Sequence, residues 1–338
     1  MSMRRLWLLL GVCFVADAAC ASSHFLTFIM PCYNAEETVI EALDSIYKQK
    51  LTIPFEVICT DDGSVDNTRM LLIEYAQDHS EMKVFVHKMN QGGGPARNTC
   101  VAHARGDLIF NLDADNVLVQ NSVQKLINLL DQTKADGAAF QEIRFFRGRF
   151  KHTHSWFYQA PNNICDLYHM MKTPVTPSSS GNYLYTKKSY VRAGGYPSAA
   201  LDTQGFGFRQ LATGSKIAIL PKSFYWHRLA DNSYFEREKA AGNLNYYGVY
   251  KQFPELYTRE SYQYMCACEE QGKDLYEELL NFKLINDTAI AHIFRAYVLV
   301  EDKDFSNAQQ EFEAAIHAGA VPEYVYARMK KILPHEEL

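Results

Sequence analysis

The sequence has 338 residues, enough for one large domain or two of ordinary size with a substantial core. Hydrophobic residues make up 47% of the chain and charged residues 22%, proportions that are typical of a globular protein. The net charge of -5 argues against a nucleic-acid partner and against electrostatic binding to an anionic membrane.

The amino terminus has the three parts of a secretory signal peptide. The basic segment MSMRR is followed by the apolar run LWLLLGVCFVA and by small residues, among which Ala19-Cys20-Ala21 fits a cleavage site. The apolar run is shorter than the roughly 20 residues that a membrane span needs. Residues 1–21 are therefore predicted to be a signal peptide, which indicates export.

The cysteines indicate a different compartment. Cys59 lies in a strand-like apolar run and Cys100 in a helical pattern, where a free thiol behaves as a small hydrophobic group. Cys266 and Cys268 are too close for an ordinary disulfide, and there is no CxxC pair for zinc. Reduced thiols favour the cytoplasm or the membrane periphery, so the localisation stays open between these and export.

Strand-like and helix-like segments alternate from Phe25 onward. Asn34 and Glu37 predict a capping box at the start of the first helix. The alternation predicts an α/β fold with a mostly parallel central sheet flanked by helices, in which ligands bind beyond the carboxyl ends of the strands. The predicted strands are FLTFIM, FEVICT, MKVFVHK and DLIFNLD, and the helices between them are AEETVIEALDSIYKQ, NTRMLLIEYAQDH and PARNTCVAHARG.

The remainder of the chain falls into an irregular part and a helical part. A helix, NSVQKLINLLDQTKA, and a strand, GAAFQEIRFF, precede an aromatic-rich irregular stretch, after which KIAILPKSFYWHR is strand-like. Beyond about Asn232 the pattern is helical, and Ala308, Phe312 and Ala315 have the spacing of a tetratricopeptide-like hairpin. This predicts a C-terminal α-helical extension that offers a possible surface for a protein partner.

Acidic side chains stand at the end of the fourth predicted strand. The stretch LIFNLDADN ends an apolar run on Asp113 and Asp115. Two carboxylates at a buried strand end repel each other unless a cation joins them, although the same spacing also occurs in solvated turns. Oxygen ligands that face a diphosphate suit Mg²⁺ or Mn²⁺, so the pair is a candidate metal site.

The glycine run QGGGPARN follows the third predicted strand. It fails as a dinucleotide-binding fingerprint, because Arg97 stands where the third glycine belongs and Pro95 intervenes. It is better interpreted as a loop where the backbone at Gly94 approaches a ligand and Arg97 binds phosphate or nucleoside. A surface arginine on a helix is the alternative for Arg97.

Three of these segments occur in order, and together they resemble a known family. PCYNAEETVIEALDSIYKQ, EVICTDDGSVDNT and NQGGGPARNTCVAHARGDLIFNLDADN are similar to the motifs of a family 2 glycosyltransferase with the GT-A nucleotide-diphospho-sugar transferase fold. The resemblance implies a domain at 24–231, with a nucleotide-binding half at 24–116 and an acceptor-side half at 117–231, followed by the helical region at 232–338.

The resemblance also implies roles for single residues. Pro31 and Tyr33 shape the nucleobase pocket, Asp62 reads the base edge and Arg97 contacts the nucleotide. Asp113 and Asp115 form the DXD motif, whose metal holds the donor diphosphate. The implied partners are a nucleoside-diphosphate sugar and an unidentified glycan, lipid or protein acceptor. Such donors are mostly made in the cytoplasm, which argues against export.

Two further residues carry weaker predictions. Family members that invert the anomeric centre often place an acidic pair after a G-G-Y segment, and here that window offers only Asp202 as the catalytic base. A turn or helix-cap role is the alternative for Asp202. His227 matches a position where related enzymes place a histidine near the metal, and a structural histidine is its alternative.

Other side chains and functions stay open. Trp156, Phe157 and Tyr158 are candidates for stacking on acceptor sugars, as are Tyr246 and Tyr247, although buried aromatics are commoner. The alternatives to a glycosyltransferase are a nucleotide-sugar-binding scaffold that acts through its helical tail and a nucleotidyltransferase. The latter expects a glycine-rich loop after the first strand, where PCYN stands instead.

Overall fold

The computed structural model describes residues 24–173, 176–177, 181–230 and 233–334. The predicted signal peptide lies outside these residues. Within them, no helix is both long and apolar enough to span a bilayer. The six cysteines of this part of the chain are free thiols, as the sequence predicts, and five of them are buried: Cys32, Cys59, Cys100, Cys165 and Cys268.

Strands and helices alternate through the first half of the chain, and helices follow in the second. The strands are β1 Leu26–Cys32, β2 Phe55–Asp61, β3 Met82–Val86, β4 Leu108–Asn111, β5 Gly137–Arg147, β6 Lys151–Phe157, β7 Ile164–Cys165, β8 Leu184–Thr186 and β9 Ile217–Arg228. The helices are α1 Val39–Tyr47, α2 Thr68–Gln77, α3 Gly93–His103, α4 Val123–Thr133, α5 Leu167–Met170, α6 Lys187–Ala193, α7 Asp202–Ala212, α8 Tyr234–Ala240, α9 Tyr246–Tyr250, α10 Arg259–Glu270, α11 Leu275–Glu278, α12 Asp287–Glu301, α13 Phe305–His317 and α14 Pro322–Ile332.

The strands form one mixed sheet in the order β3-β2-β1-β4-β8-β5-β9-β7, with β6 added to β5. The first four strands in that order are parallel, as predicted. Strands β1, β2 and β4 are almost wholly buried, as expected for a parallel sheet that is covered on both faces. The short strand β8 runs antiparallel to both β4 and β5, and β9 runs parallel to β5. The sheet is thus wholly parallel only in the part formed by β1 to β4.

The strand β6 falls in a segment that the sequence predicts to be irregular. It pairs with the second half of β5, on the side that β8 occupies along the first half, because β9 flanks the other side. Since β4 and β5 point the same way, β6 lies beyond the ends of β4 and β8.

The capping box predicted at Asn34 and Glu37 is wrong. Helix α1 begins only at Val39, and Asn34 has a left-handed backbone with φ 49°. Its backbone N–H donates to Ser64 Oγ, and its side-chain oxygen accepts from the N–H of Val65, both at 3.0 Å. Asn34 therefore joins the loops after β1 and β2 instead of capping a helix.

The C-terminal helices pack on the sheet domain through buried polar contacts. Glu255 is fully buried and accepts hydrogen bonds from Tyr297 and Arg328, each at 2.6 Å. Arg192 of α6 donates to Glu301 of α12 at 2.8 Å. A single hydrophobic core continues from the sheet into this region. A hairpin of α12 and α13 lies where the tetratricopeptide-like spacing occurs, and its predicted positions Ala308, Phe312 and Ala315 are buried.

Candidate active site

Arg97 lies at the centre of the site and is only 7% exposed. Helix α3 carries it to the carboxyl ends of the parallel strands, where its Nη2 donates to Asp113 Oδ1 at 2.6 Å. Its Nη1 donates to Asp202 Oδ2, and its Nε donates to Asn111 Oδ1 at 3.1 Å. Asp113 and Asp202, for which the sequence predicts different roles, are thus joined by the guanidinium of Arg97.

The electrostatics of this triad follow from burial and charge. Burial acts to lower the pKa of Arg97, but Asp202 and Asp113 outweigh it and hold the pKa above its ordinary value. Burial acts to raise the pKa of Asp113, and Arg97 nevertheless keeps it below its usual range. The pKa of Asp202 is raised, because burial outweighs the attraction of Arg97. Asp202 is accordingly the more basic of the two carboxylates.

Two asparagines that the sequence analysis missed hold Asp113 in place. Asn182 accepts from the backbone N–H of Asp113 at 2.9 Å and donates to its Oδ2 at 3.0 Å. Asn111 donates to Asp113 Oδ1 at 3.2 Å and to the carbonyl oxygen of Gly181 at 2.8 Å. Asn111 is fully buried at the end of the apolar strand β4. A polar residue in an apolar run needs a hydrogen-bond partner when it is buried, and this was the sequence signal that could have identified Asn111.

The loop after β4 positions Asp115. Its backbone oxygen accepts from Arg228 Nε at 3.1 Å, and Val117 exchanges two hydrogen bonds of 2.9 Å with Trp226 of β9. Burial, reinforced by the charge of Asp113, raises the pKa of Asp115 to about 7. The carboxyl group of Asp115 is therefore held where a negative charge is poorly compensated.

His227 lies on β9 beside this loop. Its Nδ1 is buried and, within the described part of the chain, has no hydrogen-bond partner. Burial lowers the pKa of His227 to about 4 against the opposing charge of Asp113, so the imidazole is neutral near pH 7. A neutral imidazole with an unused ring nitrogen has the chemistry of a metal ligand.

These side chains fit a divalent cation that also binds a diphosphate. The described residues contain no group of three acidic, histidine or cysteine side chains already arranged around one point. Mg²⁺ needs no such group, because it is commonly held by one or two carboxylates together with substrate phosphates and water. The undercompensated charge of Asp115 and the unpartnered Nδ1 of His227 are the features that a cation would satisfy.

The carboxylate of Asp62, which is predicted to contact the nucleobase, already has hydrogen-bond partners within the protein. It is 3% exposed, and its carboxylate accepts from the backbone N–H groups of Gln91 and Gly92 at 2.8–3.1 Å. It also contacts His87 Nδ1 at 2.6 Å. Asp62 thus fixes the glycine-rich loop, and its proposed contact with the nucleobase has to share the carboxylate with these partners.

Gly93 and Gly94 allow the start of α3 to pack closely against neighbouring residues. Gly94 is buried, and a Cβ atom there would collide with the carbonyl oxygen of Pro197 and lie 3.2 Å from the Cβ of Asp202. At Gly93 a Cβ atom would lie 2.6 Å from both Arg97 Nη1 and Asp202 Oδ2. Packing against the segment before α7 therefore accounts for glycine at positions 93 and 94. The predicted contact of Gly94 with a ligand stays a prediction.

Replacing Gly94 by alanine is expected to lower the free energy of unfolding by about 3 kcal/mol, because the new methyl group overpacks the start of α3. Urea denaturation followed by circular dichroism measures this change. Ala102→Gly, on the exposed face of the same helix, is the control and should cost about 1 kcal/mol from helix propensity alone. A Gly94→Ala protein as stable as wild type would contradict the close approach.

The other predicted nucleotide contacts lie at the same sheet edge. Pro31 is a partly buried residue of β1, and Tyr33 follows that strand with 40% of its surface exposed. The structure therefore brings together the ends of β1, β2 and β4 and the start of α3, as the positions of the motifs predict. Their contacts with a nucleotide stay predictions.

Comparison with known proteins agrees with this arrangement. Residues 27–194 match the model of the family described as glycosyl transferase family 2. These residues form a domain of that family. A crystal structure of S. aureus TarS 1-349 in complex with UDP-GlcNAc aligns with 90% of this chain and 88% of that one at 17% identity and a TM-score of 0.53, which shows a shared GT-A fold.

Curated relatives match a shorter stretch. A UDP-Glc:alpha-D-GlcNAc-diphosphoundecaprenol beta-1,3-glucosyltransferase of Escherichia coli is 33% identical over 107 residues, which are 32% of this chain and 41% of that protein. A poly(ribitol-phosphate) beta-glucosyltransferase of Bacillus spizizenii is 30% identical over 33% of this chain and 18% of its own length. The matched region thus spans less than half of these family members.

Proposed function

We propose that this protein transfers a sugar from a nucleoside-diphosphate sugar to a hydroxyl group of an acceptor, with Mg²⁺ or Mn²⁺ bound at Asp113 and Asp115. The observation that carries the proposal is the convergence of these two carboxylates with Arg97 and the unpartnered ring nitrogen of His227 at one sheet edge. The names of the family relatives, which include UDP-glucose-dependent transferases, support a nucleotide-sugar donor.

The cation and the arginine would share the charge of the donor diphosphate. Bound Mg²⁺ or Mn²⁺ supplies a Lewis acid that stabilises the departing nucleoside diphosphate. Asp115 provides a carboxylate whose raised pKa reflects its poor compensation without a cation. His227 offers a neutral nitrogen, and Arg97 presents a second positive charge that is fixed by Asp113 and Asn111.

Asp202 is proposed as the base of an inverting displacement. It is the first residue of α7, is buried, and has a raised pKa, so it would accept the proton of an acceptor hydroxyl more readily than Asp113. In the structure its Oδ2 binds Arg97 and its Oδ1 accepts from the N–H of Thr203 at 2.8 Å. An incoming diphosphate gives Arg97 an alternative anion and so leaves Asp202 available to the acceptor.

Replacing Asp202 by asparagine is expected to lower kcat by about 100-fold or more, the usual contribution of a general base, with little change in the affinity for donor. Steady-state kinetics and nucleotide-binding calorimetry separate the two quantities. Asp166→Asn is the matched control, because Asp166 caps α5 by accepting from His169 at 2.9 Å. If both variants lose only stability, Asp202 is a structural residue at the helix start.

Calorimetry with UDP and GDP, each with and without Mn²⁺, tests the donor site directly. If the protein is a transferase, Mn²⁺ should strengthen the binding of either UDP or GDP, and the protein should turn over a sugar donor that carries the same nucleotide. Binding without turnover in any acceptor screen would favour the scaffold alternative. Absence of metal-dependent binding would contradict the proposed donor site.

The acceptor is proposed to be a glycan or a lipid-linked glycan. The names of the two curated relatives specify an undecaprenol-linked sugar and a ribitol phosphate polymer, so hydroxyl groups of extended acceptors are used within the family. The alignment covers too little of those proteins to transfer either acceptor to this chain.

A further inference from the structure

Three strands beyond the DXD loop present one row of aromatic side chains. Cross-strand neighbours share a face of a sheet, and Phe145 of β5 is opposite both His154 of β6 and His227 of β9. The rings of Phe145 and His154 stack with centroids 4.4 Å apart, and the rings of Phe145 and His227 are 4.9 Å apart. The row therefore begins at the proposed metal ligand His227.

Trp156 of β6 lies next to this row on the same face of the sheet. It is opposite Ile143 on the same face, and its ring meets Phe145 edge-on at 4.7 Å. Although it touches the buried Phe145, Trp156 is 51% exposed, which is unusual for the largest hydrophobic side chain. His154 is also exposed, so His154 and Trp156 form an aromatic surface that the described part of the chain leaves uncovered.

The position of this surface relates it to the transfer site. His154 and His227 are two strands apart, or about 10 Å, and Trp156 lies one side-chain repeat further back along the strand. The row reaches the candidate site through His227, which lies close enough to Asp113 for the charge of that carboxylate to act on the imidazole. The span from His227 to Trp156 is that of a short oligosaccharide.

We propose that Trp156 and His154 form a carbohydrate-stacking subsite that binds the acceptor chain next to its reacting hydroxyl. An exposed indole is flat, apolar and able to donate one hydrogen bond at its edge, which suits the apolar face of a pyranose ring. The subsite rests on the proposed glycosyl transfer to a glycan acceptor. It gives the acceptor a chemical class: a chain of at least two sugar rings.

Phe157 provides a matched control. It is the next residue of β6 and is 58% exposed, but strand alternation places it on the opposite face, opposite Glu142. Removing Phe157 therefore changes the exposed aromatic area of β6 by a similar amount without changing the row that leads to His227. A loss of binding in the Trp156 variant that the Phe157 variant does not share is therefore due to the face of the sheet that carries His154 and His227.

The test measures saccharide binding to the full chain in the presence of UDP or GDP and Mn²⁺. The probes are cellobiose, maltotriose, chitotriose and N-acetyllactosamine, with ribitol 5-phosphate and glycerol 3-phosphate as non-saccharide probes, and the signal is saturation-transfer NMR. We expect at least one oligosaccharide to bind wild type and Phe157→Ala equally. We expect Trp156→Ala to weaken it about tenfold, the effect of losing one aromatic stacking surface.

Several outcomes would overturn the subsite. They are equal saccharide binding by wild type and Trp156→Ala, an equal loss in Phe157→Ala, binding only of the polyol phosphates, or no saccharide binding at all by nucleotide-bound protein. Failure of the nucleotide to bind is a separate result, and it contradicts the proposed function instead. Trp156→Phe keeps a ring at this position and should restore most of the affinity that the alanine variant loses.

Discussion

Replacing Asp115 by asparagine is expected to lower the rate of sugar-donor turnover by at least about 100-fold, because the amide cannot replace a carboxylate in holding the cation at the leaving diphosphate. The same change should leave the protein folded. Burial beside Asp113 raises the pKa of Asp115 to about 7, so at pH 8 its ionised form opposes folding and a neutral asparagine removes that cost.

The pair of measurements distinguishes a functional carboxylate from a structural one. Product release gives the turnover, and thermal unfolding at pH 8 should give a midpoint no lower than that of wild type. Asp131→Asn, at a partly exposed carboxylate on α4, is the isosteric control. It should leave turnover unchanged and cost at most about 1 kcal/mol of stability through the loss of the ion pair with His24. Near-normal turnover in Asp115→Asn would refute its role in metal binding.

The Arg97→Met variant should lose about 3–5 kcal/mol of stability, the cost of leaving buried charges unpaired. Arg97 is 7% exposed and holds Asp113 and Asp202 together, so its removal places two carboxylates side by side without a cation. Urea denaturation measures the loss. Adding Asp202→Asn to this variant should recover part of it, because one of the two charges is then gone.

A surface ion pair provides the comparison. Arg295 is about half exposed and pairs with Glu311 at 3.1 Å, so Arg295→Met should cost at most about 1 kcal/mol. If Arg97→Met costs no more than Arg295→Met, or if Asp202→Asn deepens the loss, Arg97 does not have the central position described here. The double variant keeps the test informative if Arg97→Met alone is too unstable to study.

The sequence predicted the parts of the fold that depend on local patterns. The alternation of apolar strands with amphipathic helices identified the sheet half that contains β1 to β4, and the family match confirms the GT-A glycosyltransferase fold. The strand β6 escaped prediction because its residues are almost all exposed and it has no alternation of buried and exposed positions. Its structure depends on pairing with β5, which a local pattern does not reveal.

The sequence predicted where the site residues lie in the fold, but it did not predict which of them contact one another. Strand ends placed Asp113, Asp115 and Arg97 at one edge, but no spacing indicated that Arg97 also binds Asp202, 105 residues later. Asn182 escaped for the same reason, since it reaches Asp113 from a distant segment. Asn34 failed as a helix cap because a tertiary contact with Ser64 replaced the local one.

A donor screen by product release, with and without EDTA, tests the central claim most directly. Purified full-length protein is incubated with UDP- and GDP-sugars and Mn²⁺, and released nucleoside diphosphate is measured for wild type and for Asp115→Asn. We expect wild type to release one of the two nucleoside diphosphates and EDTA to abolish the release. Asp115→Asn should release it no faster than the EDTA-treated wild type. Release that persists at the same rate in EDTA and in Asp115→Asn would contradict a cation held at Asp113 and Asp115.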